Sequence, residues 1–199
     1  MTEPAPHRAG NAPDGSEVAL VAATAAGDTL AFERLYRLHE RRVWRYAVSM
    51  VQDRAVADEL VVDTMLAVWQ GASGFRSGSR VSTWILGITR HKALDAGRRS
   101  ARRRNDIALD DAGEIVDEAA GPARIAEQDD KNRLFNAATV QLSAEHREAL
   151  HLAFVDGLPY DEIAQLLDVP ENTVKTRIHY AKRKLQDLLV RLTQEEAPY

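Results

Sequence analysis

The chain has 199 residues, enough for one ordinary domain or two small ones, and 45% of them are hydrophobic, so modest cores can close. It contains no cysteine, which excludes disulfides and thiolate metal sites and suits a reducing compartment. No apolar run approaches the roughly 18 to 20 residues that cross a bilayer, so direct membrane insertion is excluded from the reading.

The formal charge of −4 conceals strong segregation. Between Arg76 and Arg104 stand nine Lys or Arg residues against one acid, Asp95. From Asp106 to Asp130 come nine acids against one base, Arg124. The chain then turns basic again through Lys175, Arg177, Lys182, Arg183, Lys184 and Arg191. Two basic surfaces parted by an acidic strap fit two nucleic-acid contacts. Local patches decide such contacts, because charges are screened beyond about 8 Å at physiological salt.

In chain order, residues 1–16 are rich in Pro, Gly and Ala, lack the apolar segment of a secretion signal, and read as a disordered leader. A first helix is expected from Glu17 to Ala26, closed by Gly27. Asp28 or Thr29 caps the next, whose buried stripe is Phe32, Leu35, Tyr36, His39, Val43, Tyr46 and Met50. Asp53 marks the break before a third helix over Ala55–Gln70, with Leu60, Val61, Met65, Val68 and Trp69 inward. After a loop at Ser77–Ser79, a fourth helix runs from Val81 to Arg99, with Val81, Trp84, Ile85 and Ile88 on one side. Residues 105–128 have poor periodicity, Gly113, Gly121-Pro122 and most of the acids; they read as a flexible linker.

A second unit begins near Asp129. Lys131–Val140 looks helical, and Ser143 caps a helix bearing Leu150, Ala153 and Phe154 that Gly157 stops. Strand signals are nearly absent, so the fold class is all-α: two small helical domains, 17–104 and 129–193, with a short tail at 194–199.

The most informative stretch is Gly157–Leu189, which reads as a short helix, a tight turn and a longer basic helix. Ile163, Leu166 and Leu167 are the apolar residues of the short helix, Leu167-Asp168-Val169 the turn, and Pro170 suits the first turn of the next helix. There Val174, Ile178, Ala181, Leu185 and Leu188 recur at steps of four and three and share an inward face. Asn172, Thr176, His179 and Arg183 then point outward, flanked by Thr173, Lys175 and Tyr180. A polar, basic face opposite an apolar seam is what insertion into the DNA major groove requires.

Enzyme chemistry finds no support. His146 and His151 are five apart, wrong for one metal-binding face, and there is no HExxH, phosphate-gripping Gly-rich loop or nucleophile elbow. Asp161 and Glu162 are adjacent and read as first-turn acids favoured by the helix dipole. No catalytic residue, metal site or cofactor is assigned.

Two segments in this order, Asp58–Gln70 followed by Phe75–Arg99, and then Gln141–Leu185, resemble bacterial sigma-70 factors. The resemblance is to the extracytoplasmic-function group, which keeps only regions 2 and 4, and it covers Glu17–Leu189. It implies a sigma factor that binds core RNA polymerase, carries it to particular promoters and helps melt them, without being an enzyme. The helix matching Asp58–Trp69 would dock on the clamp helices of the large polymerase subunit through Asp58, Glu59, Leu60, Val61, Asp63 and Met65. The flap of core polymerase is a further contact that the resemblance implies.

By the same resemblance, Arg80, Arg90, His91, Lys92, Arg98 and Arg99 would bind the downstream −10 element. Asn172, Thr173, Lys175, Thr176, Arg177, His179, Tyr180 and Arg183 would bind the upstream −35 element. Asn172 replaces a usual Gly and Tyr180 often an Arg, changes that point to an altered upstream sequence. The acidic linker would mimic a phosphate chain in polymerase channels, and an anti-sigma factor would hold the protein inactive in the cytoplasm. The competing reading is a free-standing helix-turn-helix regulator acting without polymerase.

Overall fold

A computed structural model describes residues 15–107 and 134–195. The leader through residue 14, the linker from 108, the start of the second unit through 133 and the last four residues lie outside the described residues. Within them the chain is helical with no strand: α1 (Gly15–Ala25), α2 (Thr29–Val51), α3 (Arg54–Gly71), a 3-10 turn (Ala72–Gly74), α4 (Val81–Ile107), α5 (134–140), α6 (Ala144–Phe154), α7 (Tyr160–Leu167) and α8 (Glu171–Glu195).

Local chemistry sets the breaks. Gly27 takes φ +89, a left-handed turn that strains other residues, and ends α1. Asp28 accepts hydrogen bonds from the Leu30 and Ala31 N–H groups and starts α2, a cap whose loss costs about 1 kcal/mol. Asp53 does the same for α3 through the Val56 N–H. Helix α4 runs beyond the expected Arg99 to Ile107, because Ala and Arg are strong helix formers and no Gly or Pro follows Gly97 there. It therefore takes in the first three residues assigned to the linker.

The first four helices pack around Val21, Leu35, Val43, Val61, Met65, Val68, Val81 and Ile85, with a second cluster at Ala47, Ala57, Leu60 and Ala93. Trp84 sits against this core with its ring 5.0 Å from that of Phe75, in keeping with a packing role. In the second half Ala138, Leu142, Leu150, Ala181 and Leu188 make a smaller cluster.

The two halves share a further core. Tyr46 of α2 and Leu86 of α4 are buried among Ala149, Leu152, Ile163, Leu167, Val174 and Ile178 of the second half. The stripe of α2 is thus divided: Leu35 and Val43 face their own bundle, and Tyr46 faces the other module.

His39 is only 3% exposed, with Nε2 3.5 Å from Glu17, and burial, then nearby Arg42, lowers its pKa from 6.5 to about 4. The unfolded chain takes up this proton first, so His39 contributes fully above about pH 6.5 and its contribution falls as the pH drops toward 4. Between pH 7 and 4.5 this residue should withdraw about 2 to 3 kcal/mol. His39→Leu should flatten that limb in urea titrations at the two pH values; an unchanged slope would show that His39 is not the group responsible.

Candidate nucleic-acid interface

The helix-turn-helix is built by its turn. Pro159, with φ −61 and ψ 152, leads into α7, which begins at Tyr160 and places Asp161 and Glu162 in its first turn. Asp168 takes the left-handed conformation, φ 55, and its N–H reaches the carbonyls of Ala164 and Gln165. The Pro170 carbonyl accepts from Thr173 and Val174 N–H at 2.9 and 3.3 Å, so Pro170 stands just before α8 rather than inside its first turn. Val174, Ile178, Ala181 and Leu188 are buried and Leu185 half-buried, as their spacing requires.

The opposite face of α8 is open. Asn172, Lys175, Thr176, His179, Tyr180 and Arg183 are exposed, with Thr173 and Arg177 half-buried at its edge. Asn172, Thr173, Thr176, Arg177 and Tyr180 line an open hollow together with His146 of α6, a residue that sequence reasoning considered only as a metal ligand. Two cations are already engaged: Arg177 lies 3.0 Å from Glu145 and Lys175 2.8 Å from Glu171. Lys182 stands 4.7 Å above the exposed Phe154 ring.

The six basic or histidine positions on and before α4 fall into different environments. Arg98 and His91 both turn to Asp95, the latter with Nδ1 3.4 Å from the carboxylate. The Arg98 hydrogen bond holds the Asp95 carboxyl below its usual range. Lys92 is half-buried and Arg99 exposed. Arg80 and Arg90 instead reach across to the second module. Arg80 Nε is 3.1 Å from Glu162, whose other oxygen accepts from Thr83 Oγ1 at 2.6 Å. Arg90 Nε is 2.9 Å from Glu148 Oε1, which also accepts from Tyr46 Oη at 2.7 Å. Burial and the Glu148 charge hold the Tyr46 phenol well above its ordinary pKa.

More polar groups sit along this contact. Arg42 Nε is 3.2 Å from Asp156, and His151 Nε2 is 3.4 Å from the same carboxylate. Burial raises Asp156 to about 6, against the opposing pull of Arg42 and Arg45. Burial, then Arg45, lowers His151 to about 4. Neither Glu148 nor Glu162 was singled out for such a role by sequence reasoning.

On α3 the structure corrects three assignments. Leu60, Val61 and Met65 are 2%, 7% and 1% exposed and belong to the core of the bundle, so they offer no surface to a partner. Their positions follow the same helical period that keeps the bundle together. The outward residues are Asp58, Glu59, Val62, Asp63 and Leu66, with Val62 60% and Leu66 52% exposed. Asp58 also has a structural task, accepting from Trp44 Nε1 at 2.7 Å.

Among the described residues no cluster of His, Cys, Asp or Glu is placed to hold a metal, and no helix is long and apolar enough to cross a membrane.

Residues 35–103 match the family description Sigma-70 region 2, and residues 133–185 match Sigma-70, region 4. The chain is 33% identical over 180 residues to the ECF RNA polymerase sigma factor SigL of Mycobacterium tuberculosis, covering 90% of this chain and 97% of that one. It resembles the crystallised sigma factor RpoE of Bartonella quintana, bound there to the anti-sigma factor NepR, with a TM-score of 0.65 and 26% identity over 79% of this chain and 96% of that one. It shares a fold with CnrH, seen with the cytosolic domain of CnrY, at a TM-score of 0.66, 23% identity and coverage of 88% and 98%. Two helical modules in this order, one carrying a basic helix with an open outer face, together with these likenesses, settle the family: the chain belongs to the ECF RNA polymerase sigma factors of the sigma-70 family.

Proposed function

We propose that this sigma factor binds core RNA polymerase through its first module, brings it to promoters through two DNA surfaces and helps to separate the strands. The unit over 17–104 contains the polymerase contact on α3 and the −10 contact around α4. The unit over 129–193 contains the −35 contact on α8. Its role is addressing and opening, not catalysis, and its place of work is the cytoplasm. The RpoE likeness supports control by an anti-sigma factor.

The observation that carries the proposal is the open face of α8: Asn172, Lys175, Thr176, His179, Tyr180 and Arg183 are exposed opposite a seam in which Val174, Ile178, Ala181 and Leu188 are buried. Polar side chains on such a face can reach base edges, each good bidentate pair giving about 1 to 3 kcal/mol of discrimination. The nearby Arg177 and Arg183 suit phosphates.

The test is transcription with purified core polymerase on a panel of promoter fragments. A sigma factor yields specific transcripts; a free-standing regulator would shift DNA alone and yield none. Lys175→Ala with Thr176→Ala should weaken promoter recognition about tenfold or more while core binding holds. The exposed Lys175–Glu171 pair contributes little to stability, so the fold should survive. Equal loss of core binding would mean that this face of α8 is not a DNA reader.

A further inference from the structure

The geometry points to His146 of α6 as a further DNA contact: its ring donates a hydrogen bond to a backbone phosphate beside the groove that α8 enters. The upstream duplex is then gripped by two helices. The inference rests on the reading of α8 as the −35 helix and adds to it a residue outside that helix.

The hollow beside α8 joins the two helices. His146 lines it with Asn172, Thr173, Thr176, Arg177 and Tyr180, whereas Lys175, His179 and Arg183 of the same open face do not. The helices are fixed to each other, since Ala149 and Leu152 share a core with Val174 and Ile178, and Glu145 lies 3.0 Å from Arg177. On α6 itself Ser143 Oγ accepts from the His146 backbone N–H at 3.3 Å and anchors the turn that carries the ring. His146 is also half-buried, so its ring has less freedom to lose on binding than the exposed side chains of α8.

Groove dimensions decide what this ring meets. The major groove is about 12 Å wide and a helix with its side chains is about 10 to 12 Å across, so α8 fills the groove alone. A helix packed against its flank stands over the sugar–phosphate chain that walls the groove. A side chain of α6 turned into the hollow therefore reaches a phosphate oxygen, a contact that positions the protein without reading sequence.

The other groups of the hollow leave that phosphate short of donors. Thr176 Oγ1 gives its proton to the Asn172 carbonyl at 2.8 Å. Arg177, the sole cation among the lining residues, is paired with Glu145, which offsets its charge and is offset by it. An imidazole carries at least one N–H in either protonation state. A hydrogen bond from it to an anionic oxygen is about twice as strong as one between neutral groups.

The probe is a short duplex selected from a random pool on the full chain, with each phosphate replaced in turn by an uncharged methylphosphonate. His146→Leu should bind the unmodified duplex about fivefold more weakly. The same factor should appear on duplexes changed at any single base pair. His146→Gln keeps an N–H donor and should recover most of the loss. Neutralising one particular phosphate should weaken the parent about fivefold and His146→Leu by less than about twofold, the coupling expected of two groups in contact.

Parent-like affinity of His146→Leu would overturn the inference. So would an equal cost of every methylphosphonate to both proteins, which would make His146 a support of α6. A loss confined to one base pair would make it a base reader and end the phosphate assignment. Lys175→Ala with Thr176→Ala on the same duplex separates the two levels. If that variant is weakened and His146→Leu is not, α8 still reads DNA and this inference alone falls; if neither is weakened, the −35 assignment falls and takes the inference with it.

Discussion

Arg147→Ala is expected to destabilise the second module by about 3 to 5 kcal/mol. Arg147 is 9% exposed, and its guanidinium donates to three carbonyls: Ser49 at 2.7 Å, Val140 at 3.2 Å and Leu142 at 3.3 Å. Ser49 lies in the last turn of α2, where the helix dipole favours a cation. Val140 and Leu142 flank the turn between α5 and α6. One side chain thus fixes the entry to α6 and seats that helix on the end of α2.

Alanine would leave those acceptors without their donor and open a void beside them. The bond to Leu142 is buried and the other two are partly buried; an unmet buried acceptor costs about 1 to 3 kcal/mol and a partly buried one less, so the three losses would not simply add. Arg147→Lys should recover less than half, because an ammonium cannot reproduce the planar fork. Urea unfolding followed by circular dichroism checks both variants. A change below 1 kcal/mol for Ala would mean that water satisfies the three carbonyls.

The faces of single helices were legible in the sequence. In α8 the steps of four and three separate Val174, Ile178, Ala181 and Leu188 from the open polar face, and no distant contact competes with that pattern. The cap at Ser143 was legible for the same reason, since it acts within three residues; Asp28 was one of two candidates with Thr29, and Asp53 was legible as a break before it proved to be a cap. What spans the modules was not legible. Glu148 and Glu162 meet their partners over separations of 58 and 79 residues, and a charge on a helix looks alike whether it faces water or an arginine. Tyr46 followed its predicted stripe, yet the stripe could not say which module would cover it. Arg147 was hidden by a similar bias: a charged residue on an amphipathic helix is ordinarily solvated. On α3 periodicity correctly turned Leu60, Val61 and Met65 inward; giving the same three residues to a partner asked one face to do two jobs.

That division of α3 yields the second large effect. Val62→Asp with Leu66→Asp should weaken binding to core polymerase by about two to four orders of magnitude. Val62 and Leu66 are four residues apart on one outer face, 60% and 52% exposed, between the acids Asp58, Glu59 and Asp63. Covering two such side chains in an interface is worth about 1.5 to 3 kcal/mol each, and a carboxylate there adds the cost of burying a charge. The substitutions should leave the thermal unfolding of the free chain nearly unchanged, because neither side chain supports its core. Leu60→Asp provides the contrast: it buries a charge inside the bundle and should unfold it. Asp58→Arg with Asp63→Arg is a less direct probe, since Asp58 also accepts the Trp44 indole N–H and its loss would disturb α2. Fluorescence titration of labelled protein with core enzyme gives the affinity, and binding of an upstream duplex by the same variant reports on the intact second module. Full polymerase affinity in a folded Val62→Asp/Leu66→Asp chain would place the docking surface on another helix; loss of polymerase binding with upstream DNA binding retained would assign it to this outward strip of α3.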